Sequence, residues 1–227
     1  MPYVYWQPEF LRYLEVVGLV GARTAQIEPQ ISVTERDIQE SMELLPKKDK
    51  QIIILHTGSG DPRRRWPPEK FARLGDFLSA RDLLVVLVGI ESERDIVQKV
   101  IGGMQHEAVD ASGKTSLEAL VGLMKRSALV VSNDSGPLHL AVATGAPTVG
   151  IYWGPNLVTA GPAARSNHRP HLAWTLACPS CGRNTIHDVC GHLDSLVSEV
   201  NVEDVFESAM ELLATGDQKS LPLSEAN

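Results

Sequence analysis

The stretch Ser132-Asn-Asp-Ser-Gly-Pro-Leu-His-Leu-Ala141 puts a polar cluster, a proline and a histidine between two apolar segments. Asp134 or Ser135 can cap a helix that starts here, and Pro137 suits a first turn because its missing N–H is not needed there. Gly136 allows close approach of a ligand to the backbone. The unpaired N–H groups of such a turn, together with the helix dipole, attract an anion. His139 adds a donor in the first turn. An ordinary capped core helix, with His139 as a satisfied core histidine, would use the same residues, so this stretch alone does not decide. A second loop changes the balance. After Ile52-Ile-Ile-Leu-His56 come Thr57, Gly58, Ser59 and Gly60, which offer hydroxyls and accessible backbone N–H groups. Arg63, Arg64 and Arg65 follow, in an otherwise acidic chain. A guanidinium fork donates two parallel hydrogen bonds to phosphate. No Gly-Lys-Ser/Thr follows, and the glycines do not match a dinucleotide fingerprint, so neither common phosphate motif applies. Glu91, just after Gly89, has the chemistry to accept from ribose hydroxyls, although a carboxylate at a helix start is also favoured by the dipole alone.

The elements that must carry these loops follow from the hydrophobic pattern. Apolar runs at Ile52–His56, Leu83–Gly89, Ala128–Ser132 and Pro147–Tyr152 read as strands, with a short one near Ala108–Asp110. Segments of helical period lie between them: Phe71, Leu74 and Leu78; Glu91–Gly103; and Leu117, Leu120, Val121 and Met124 behind a capping box of Thr115 and Glu118. A last helix is capped by Asn201. Strands apolar on both faces that alternate with helices make an α/β fold, a Rossmann-like parallel sheet with helices on both faces. Such sheets bind ligands beyond the carboxyl ends of their strands. The loops 57–66, 89–93 and 133–136 all fall there. Residues 1–50 read as two helices, one with Phe10, Leu14 and Val17 on a face, the other capped by Thr34 and Asp37 and ended by Pro46 and the Lys-Lys-Asp-Lys run. The expected organisation is a helical linker over 1–50 that makes few contacts with the sheet core and leaves Trp6, Phe10 and Leu14 as an exposed apolar patch, a sheet domain over 51–215 and a frayed tail over 216–227.

A net charge of −7 argues against nucleic acid as a partner. With 43 % hydrophobic residues the chain can bury a sizeable core, yet no apolar run approaches the length of a membrane span. The start, Met-Pro-Tyr-Val-Tyr-Trp, shows neither the basic nor the apolar region of a secretory signal. The three cysteines cluster in Cys178–Cys190, which suits a reducing compartment better than a disulfide framework. Cys178-x2-Cys181 with Cys190 and either His187 or His192 could hold zinc tetrahedrally. The second half of that set is irregularly spaced, and a loop of reduced thiols is the plainer reading.

The chain resembles the C-terminal half of the glycosyltransferase family 9 proteins, the heptosyltransferase group that builds lipopolysaccharide core. The matching stretches are LHTGSGDPRRRWPPEKFARL, VVLVGIESE and above all SNDSGPLHLAVATGAPTVGIYWGP, with the Cys-rich end and the last helix also similar. The resemblance implies a GT-B protein, in which two Rossmann-like domains face each other across a cleft. It implies inverting transfer from a nucleoside-diphosphate sugar to a lipid-linked saccharide of lipopolysaccharide type, with no cofactor and no metal. It places donor contacts at Gly58 and Ser59 by the phosphates, Arg64 as the basic residue before Trp66, and Glu91 on the ribose. Asp134, Ser135, Gly136 and His139 form its sugar-and-diphosphate loop. The implied setting is cytoplasmic, at the inner face of the cytoplasmic membrane by peripheral association.

Family members carry an acceptor domain with an acidic base ahead of this region, whereas here fifty residues precede the first strand. No residue matches that base. The expectation is a donor-binding half, from a truncated chain or one that pairs with a separate N-terminal domain chain. The competing expectation is a non-catalytic nucleotide-sugar-binding module. A nucleotide-sugar epimerase is a weaker third reading, disfavoured by the Cys-rich end and the Trp66-Pro67 loop.

Overall fold

Runs of Ile, Leu and Val that are apolar on both sides need cover on both sides, and the computed structural model supplies it. It describes residues 4, 6–46, 49–163 and 166–219. Six strands form one sheet: Ile52–His56 (β1), Leu84–Val88 (β2), Val109–Asp110 (β3), Leu129–Asn133 (β4), Thr148–Trp153 (β5) and His168–Ala173 (β6). Their spatial order is β3-β2-β1-β4-β5-β6, and every pairing is parallel. Strand order therefore reverses between β1 and β4. That is the switch point at which open α/β sheets take their ligands, because the connections leave to opposite sides and open a crevice.

Alternate residues of the central strands feed two cores. Ile53, Leu55, Val85, Leu87, Leu129 and Val131 pack on one face. There they meet Phe71, Leu74 and Leu78 of the helix Pro68–Ser79 (α3) and Val205, Ala209 and Leu212 of the last helix. Ile52, Ile54, Val86 and Val130 face the other way, toward Leu123 and Met124 of the helix Leu117–Arg126 (α5). Helices on both faces of a parallel sheet are the architecture the apolar runs imply. Arg94–Gly103 (α4) and Gly136–Thr144 (α6) complete the cover around the two candidate loops, and the short helix Gly154–Ala160 (α7) follows β5. No helix of the described residues is long and apolar enough to cross a membrane.

The first segment divides in two. The helix Glu9–Gly18 (α1) buries no residue, and Leu11, Tyr13, Val16 and Val17 are exposed on it, with Trp6 just before. Phe10 and Leu14, expected within that exposed patch, are half-buried instead. The helix Glu35–Glu43 (α2) is integral to the domain. A Cβ on Gly122 of α5 would fall 2.0 Å from the Asp37 carbonyl oxygen, so α2 lies directly on α5. Arg126 donates to Ser41 Oγ at 3.0 Å across the same contact. The Thr34 and Asp37 capping box forms as expected. Lys47 and Lys48, in the run expected to end α2, lie outside the described residues.

Three local expectations shift. The cap of α5 is Ser116, which accepts from Ala119 N–H at 3.0 Å, not Thr115. The start is one residue later, which makes Glu118 the second helical residue and puts it out of register for a capping box. The strand expected from Ala128 starts at Leu129 and runs to Asn133. The last helix, Val202–Lys219 (α8), continues through residues 216–219 of the expected tail, and residues 220–227 lie outside the described residues.

Candidate functional site

The two loops at the switch point are joined by a buried amide. β1 and β4 pair in parallel, with His56 opposite Ser132, so the chain leaves both strands at the same level. Asn133 is fully buried there. Its Nδ2 donates to the carbonyls of Thr57 at 2.8 Å and Gly58 at 3.4 Å, and its Oδ1 accepts from Trp66 N–H at 3.0 Å. One side chain thus fixes both ends of the 57–66 loop against the start of the 133–136 loop. Trp66 anchors the far end, fully buried edge-on to Phe71 at 5.0 Å, with its indole N–H donating to the Val200 carbonyl. Within the loop, Asp61 caps a short turn through the Arg63 N–H and pairs with the Arg63 guanidinium. Arg65 is spent on the Ser59 carbonyl, to which Nε and Nη2 donate at 3.0 and 2.8 Å.

The third arginine of the run crosses to the other loop. Arg64 Nη1 donates to Asp134 Oδ2 at 3.1 Å. Asn156 Nδ2, from α7, donates to the same oxygen at 2.7 Å, and His139 Nε2 lies 3.5 Å from Oδ1. Ser59 Oγ donates to the Asp134 backbone carbonyl at 3.4 Å. Burial by itself would push the Asp134 carboxyl up. His139, Asn156 and Arg64 together outweigh it and hold the group below the usual carboxylate range. Among the described residues no other hydrogen bond engages the Arg64 fork, which stays partly open to solvent beside the start of α6. Ser135 is the N-cap of α6 with extended backbone, and Pro137 stands in its first turn. A Cβ on Gly136 would meet nothing within 4 Å, so the space in front of this helix start is open.

Behind the loops lies a second polar group. His56, buried, has Nδ1 3.2 Å from both Ser132 Oγ and Ser135 Oγ. Its Nε2 is 3.5 Å from Glu93 Oε2. The His56 contact pulls the Glu93 carboxyl below its ordinary range, with help from the Ile90 N–H and against the opposing effect of burial. Gly58 makes room for this carboxylate, because a Cβ there would fall 1.8 Å from Glu93 Oε1. Thr57 is buried as well, and its Oγ1 has no hydrogen-bond partner among the described residues.

Ser59, Arg64 and His139 therefore meet at Asp134, Ser135 turns its hydroxyl to the His56 group behind them, and Gly136 borders the open space beside them. Gly58 faces Glu93. Glu91 stands apart at the carboxyl end of β2, mostly exposed, in an ion pair with Arg94 at 2.9 Å and over Gly113. Sequence reasoning missed Asn133, Asn156, Glu93 and the His56 contacts. The Gly154-Pro-Asn156 turn after β5 was a usable signal, since it is another carboxyl-end loop of the same sheet.

Relatives of known type share this arrangement of elements. The family 9 glycosyl transferase of Veillonella parvula superposes with a TM-score of 0.73 at 24 % identity, over 89 % of this chain and 59 % of its own. The Escherichia coli ADP-heptose lps heptosyltransferase II gives a TM-score of 0.67 at 22 % identity, over 86 % and 58 %. Both likenesses show the fold. In sequence, the chain is 26 % identical over 219 residues to lipopolysaccharide heptosyltransferase 1 of Campylobacter coli, covering 94 % of this chain and 58 % of the relative. It is 32 % identical over 136 residues to lipooligosaccharide heptosyltransferase 2 of Haemophilus influenzae, covering 56 % and 39 %. The matches thus span 58 % and 39 % of these relatives' own length. The family model described as glycosyltransferase family 9 (heptosyltransferase) matches residues 4–182, most of the chain, which therefore belongs to glycosyltransferase family 9.

Proposed function

We propose that residues 51–215 bind the nucleoside-diphosphate sugar of a heptosyltransferase-like transfer to a lipopolysaccharide-type acceptor. The observation that carries this is the meeting of Arg64, Asp134, His139 and Asn156 in front of the α6 N-terminus, at the β1/β4 switch point. A diphosphate needs more positive charge than one helix end, worth about half an elementary charge, can supply. Arg64 adds guanidinium donors, one of them held by Asp134, whose carboxylate offsets part of the charge while the rest of the fork stays partly open to solvent. As the bond from sugar to diphosphate breaks, negative charge grows on the leaving phosphate oxygens. Arg64 and the backbone N–H groups that open α6 are preorganised to meet it. Ser59 and Gly136 set the depth to which the phosphates approach, and Glu91 accepts from the ribose. The lipopolysaccharide-type acceptor rests on what the relatives are named for, and a place at the inner face of the cytoplasmic membrane only on the resemblance to the family. No side chain here is assigned as the base that takes the acceptor proton.

The test is direct. The 227-residue chain, given a nucleoside-diphosphate heptose and a lipopolysaccharide-core acceptor, is expected to bind the donor and transfer it negligibly. Transfer without a positioned general base loses about 10²–10⁴-fold, and no side chain of the described residues is assigned that role. Failure to bind any nucleoside-diphosphate sugar would refute the donor site. Robust transfer by this chain alone would refute its assignment as a donor half.

A further inference from the structure

Outside the donor loops, one cluster of side chains has no explanation in packing. The ligand atoms of Cys178, Cys181, Cys190 and His192 all lie within 4.8 Å of one another. The three cysteines are free thiols. The loop around them buries little apolar surface: Val189 and Leu193 are 79 % and 65 % exposed, so hydrophobic burial does not hold the sulfurs together.

We propose that Cys178, Cys181, Cys190 and His192 form a structural zinc site that braces the basic loop. A tetrahedral zinc with bonds of about 2.3 Å sets its sulfurs about 3.8 Å apart, so the observed cluster closes on an ion by a shift of about 1 Å. The first two ligands sit on a tight turn. Ala177 and Asn184 form an antiparallel bridge, Cys178 N–H donates to the Arg183 carbonyl and Gly182 N–H to the Cys178 carbonyl, both at 2.8 Å. Gly182 has φ +71°, a conformation that favours glycine, and it lets the chain reverse directly after Cys181. The backbone N–H groups of Ser180 and Cys181 face the Cys178 sulfur, and that of Arg183 faces the Cys181 sulfur. The loop then folds back to bring in Cys190 and His192. His187 lies outside the set.

Three S–H groups lose their protons to solvent as the ion binds, and the imidazole binds neutral. The centre carries a net charge of −1. The Arg63 guanidinium, paired with Asp61, lies within electrostatic range of Cys178 and Cys190. The chain just past His192 is bonded to the basic loop, for Ser195 Oγ donates to the Arg65 carbonyl and Leu196 N–H to the Arg63 carbonyl, both at 2.7 Å. An ion here fixes the strand of chain against which Arg63–Trp66 is held. The site stands whether or not the donor reading does.

Metal content of the full chain, reconstituted with zinc in reducing buffer and desalted, tests this. The expected result is about one zinc per chain, lost in Cys181→Ser and His192→Ala and kept in His187→Ala. Both altered ligands are exposed, so loss of fold is not expected to confuse the reading. Each should weaken zinc by more than the about 10–100-fold that loss of a supporting partner costs. Cobalt should give the d–d and thiolate charge-transfer absorption of a tetrahedral thiolate site, and a chelator should lower the Tm of the wild-type chain but not of Cys181→Ser. Trace zinc only, iron in its place, a disulfide among the three cysteines, or equal zinc in wild type and both ligand variants would overturn the assignment.

Discussion

Arg64 and Asp134 lie seventy residues apart in sequence and form a 3.1 Å ion pair across the two loops at the switch point. Asp134 is almost completely buried, whereas Arg64 is partly exposed, so the pair has an inner and an outer end. The carboxylate orients, and the guanidinium presents its remaining donors to the crevice.

That pair gives folding a pH dependence of defined sign. The folded Asp134 carboxyl titrates below its unfolded value, which is about 3.9. Its contribution to stability is therefore present above that value and is lost as pH falls through the folded one. Unfolding of wild type and Asp134→Asn at a series of pH values should show the widest gap above about pH 5, closing in acid. A gap that is constant with pH would mean the carboxylate charge is not what Arg64, His139 and Asn156 hold.

Gly58 and Glu93 should be coupled. Gly58→Ala forces the Glu93 carboxylate away from His56, at a cost of about 1–3 kcal/mol from overpacking. In a Glu93→Ala background the same change should be much milder, because the clashing oxygen is gone. A double-mutant cycle by denaturant unfolding measures this, and additive effects would contradict the packing account.

Gly136→Val should leave the surrounding packing intact, since a Cβ there meets nothing within 4 Å, and should cost stability only through a β-branched residue before Pro137. It should nonetheless remove nucleoside-diphosphate binding, by filling the approach to the helix start. Unfolding curves and calorimetry on one preparation decide it. Retained affinity would place the ligand elsewhere.

Glu91→Ala should weaken a nucleoside and its diphosphate by the same factor, about 2- to 10-fold, if Glu91 accepts from the ribose. Unchanged affinities for both would leave Glu91 as no more than the partner of Arg94.

The sheet was legible because its strands are buried on both faces and read as unbroken apolar runs. β1 falls on the expected residues, and β2 lies one residue inside each end of the expected run. β6 was not legible. His168-Arg-Pro-His-Leu-Ala173 is an edge strand with one neighbour, where a proline is tolerated and polar residues need no cover. His168 is buried by reaching Thr148 Oγ1 at 2.8 Å, a contact no local pattern announces. In the site, the donors on the loops could be named from residue type. The side chains that set them in place, Asn133, Asn156 and Glu93, come from other elements, and their roles depend on which strands become neighbours. The Cys-x2-Cys pair was visible, whereas the choice of His192 over His187 needed the fold of the loop.

Calorimetric titration of adenosine and ADP into the wild-type chain and Arg64→Ala tests the donor site most directly. Charge-assisted hydrogen bonds contribute about 1.5–3 kcal/mol, so Arg64→Ala should cost ADP about 10- to 100-fold in affinity. Adenosine affinity should not change. An equal loss for both ligands, or no binding of any nucleoside diphosphate by the wild-type chain, would contradict the assignment of this crevice to a nucleoside diphosphate.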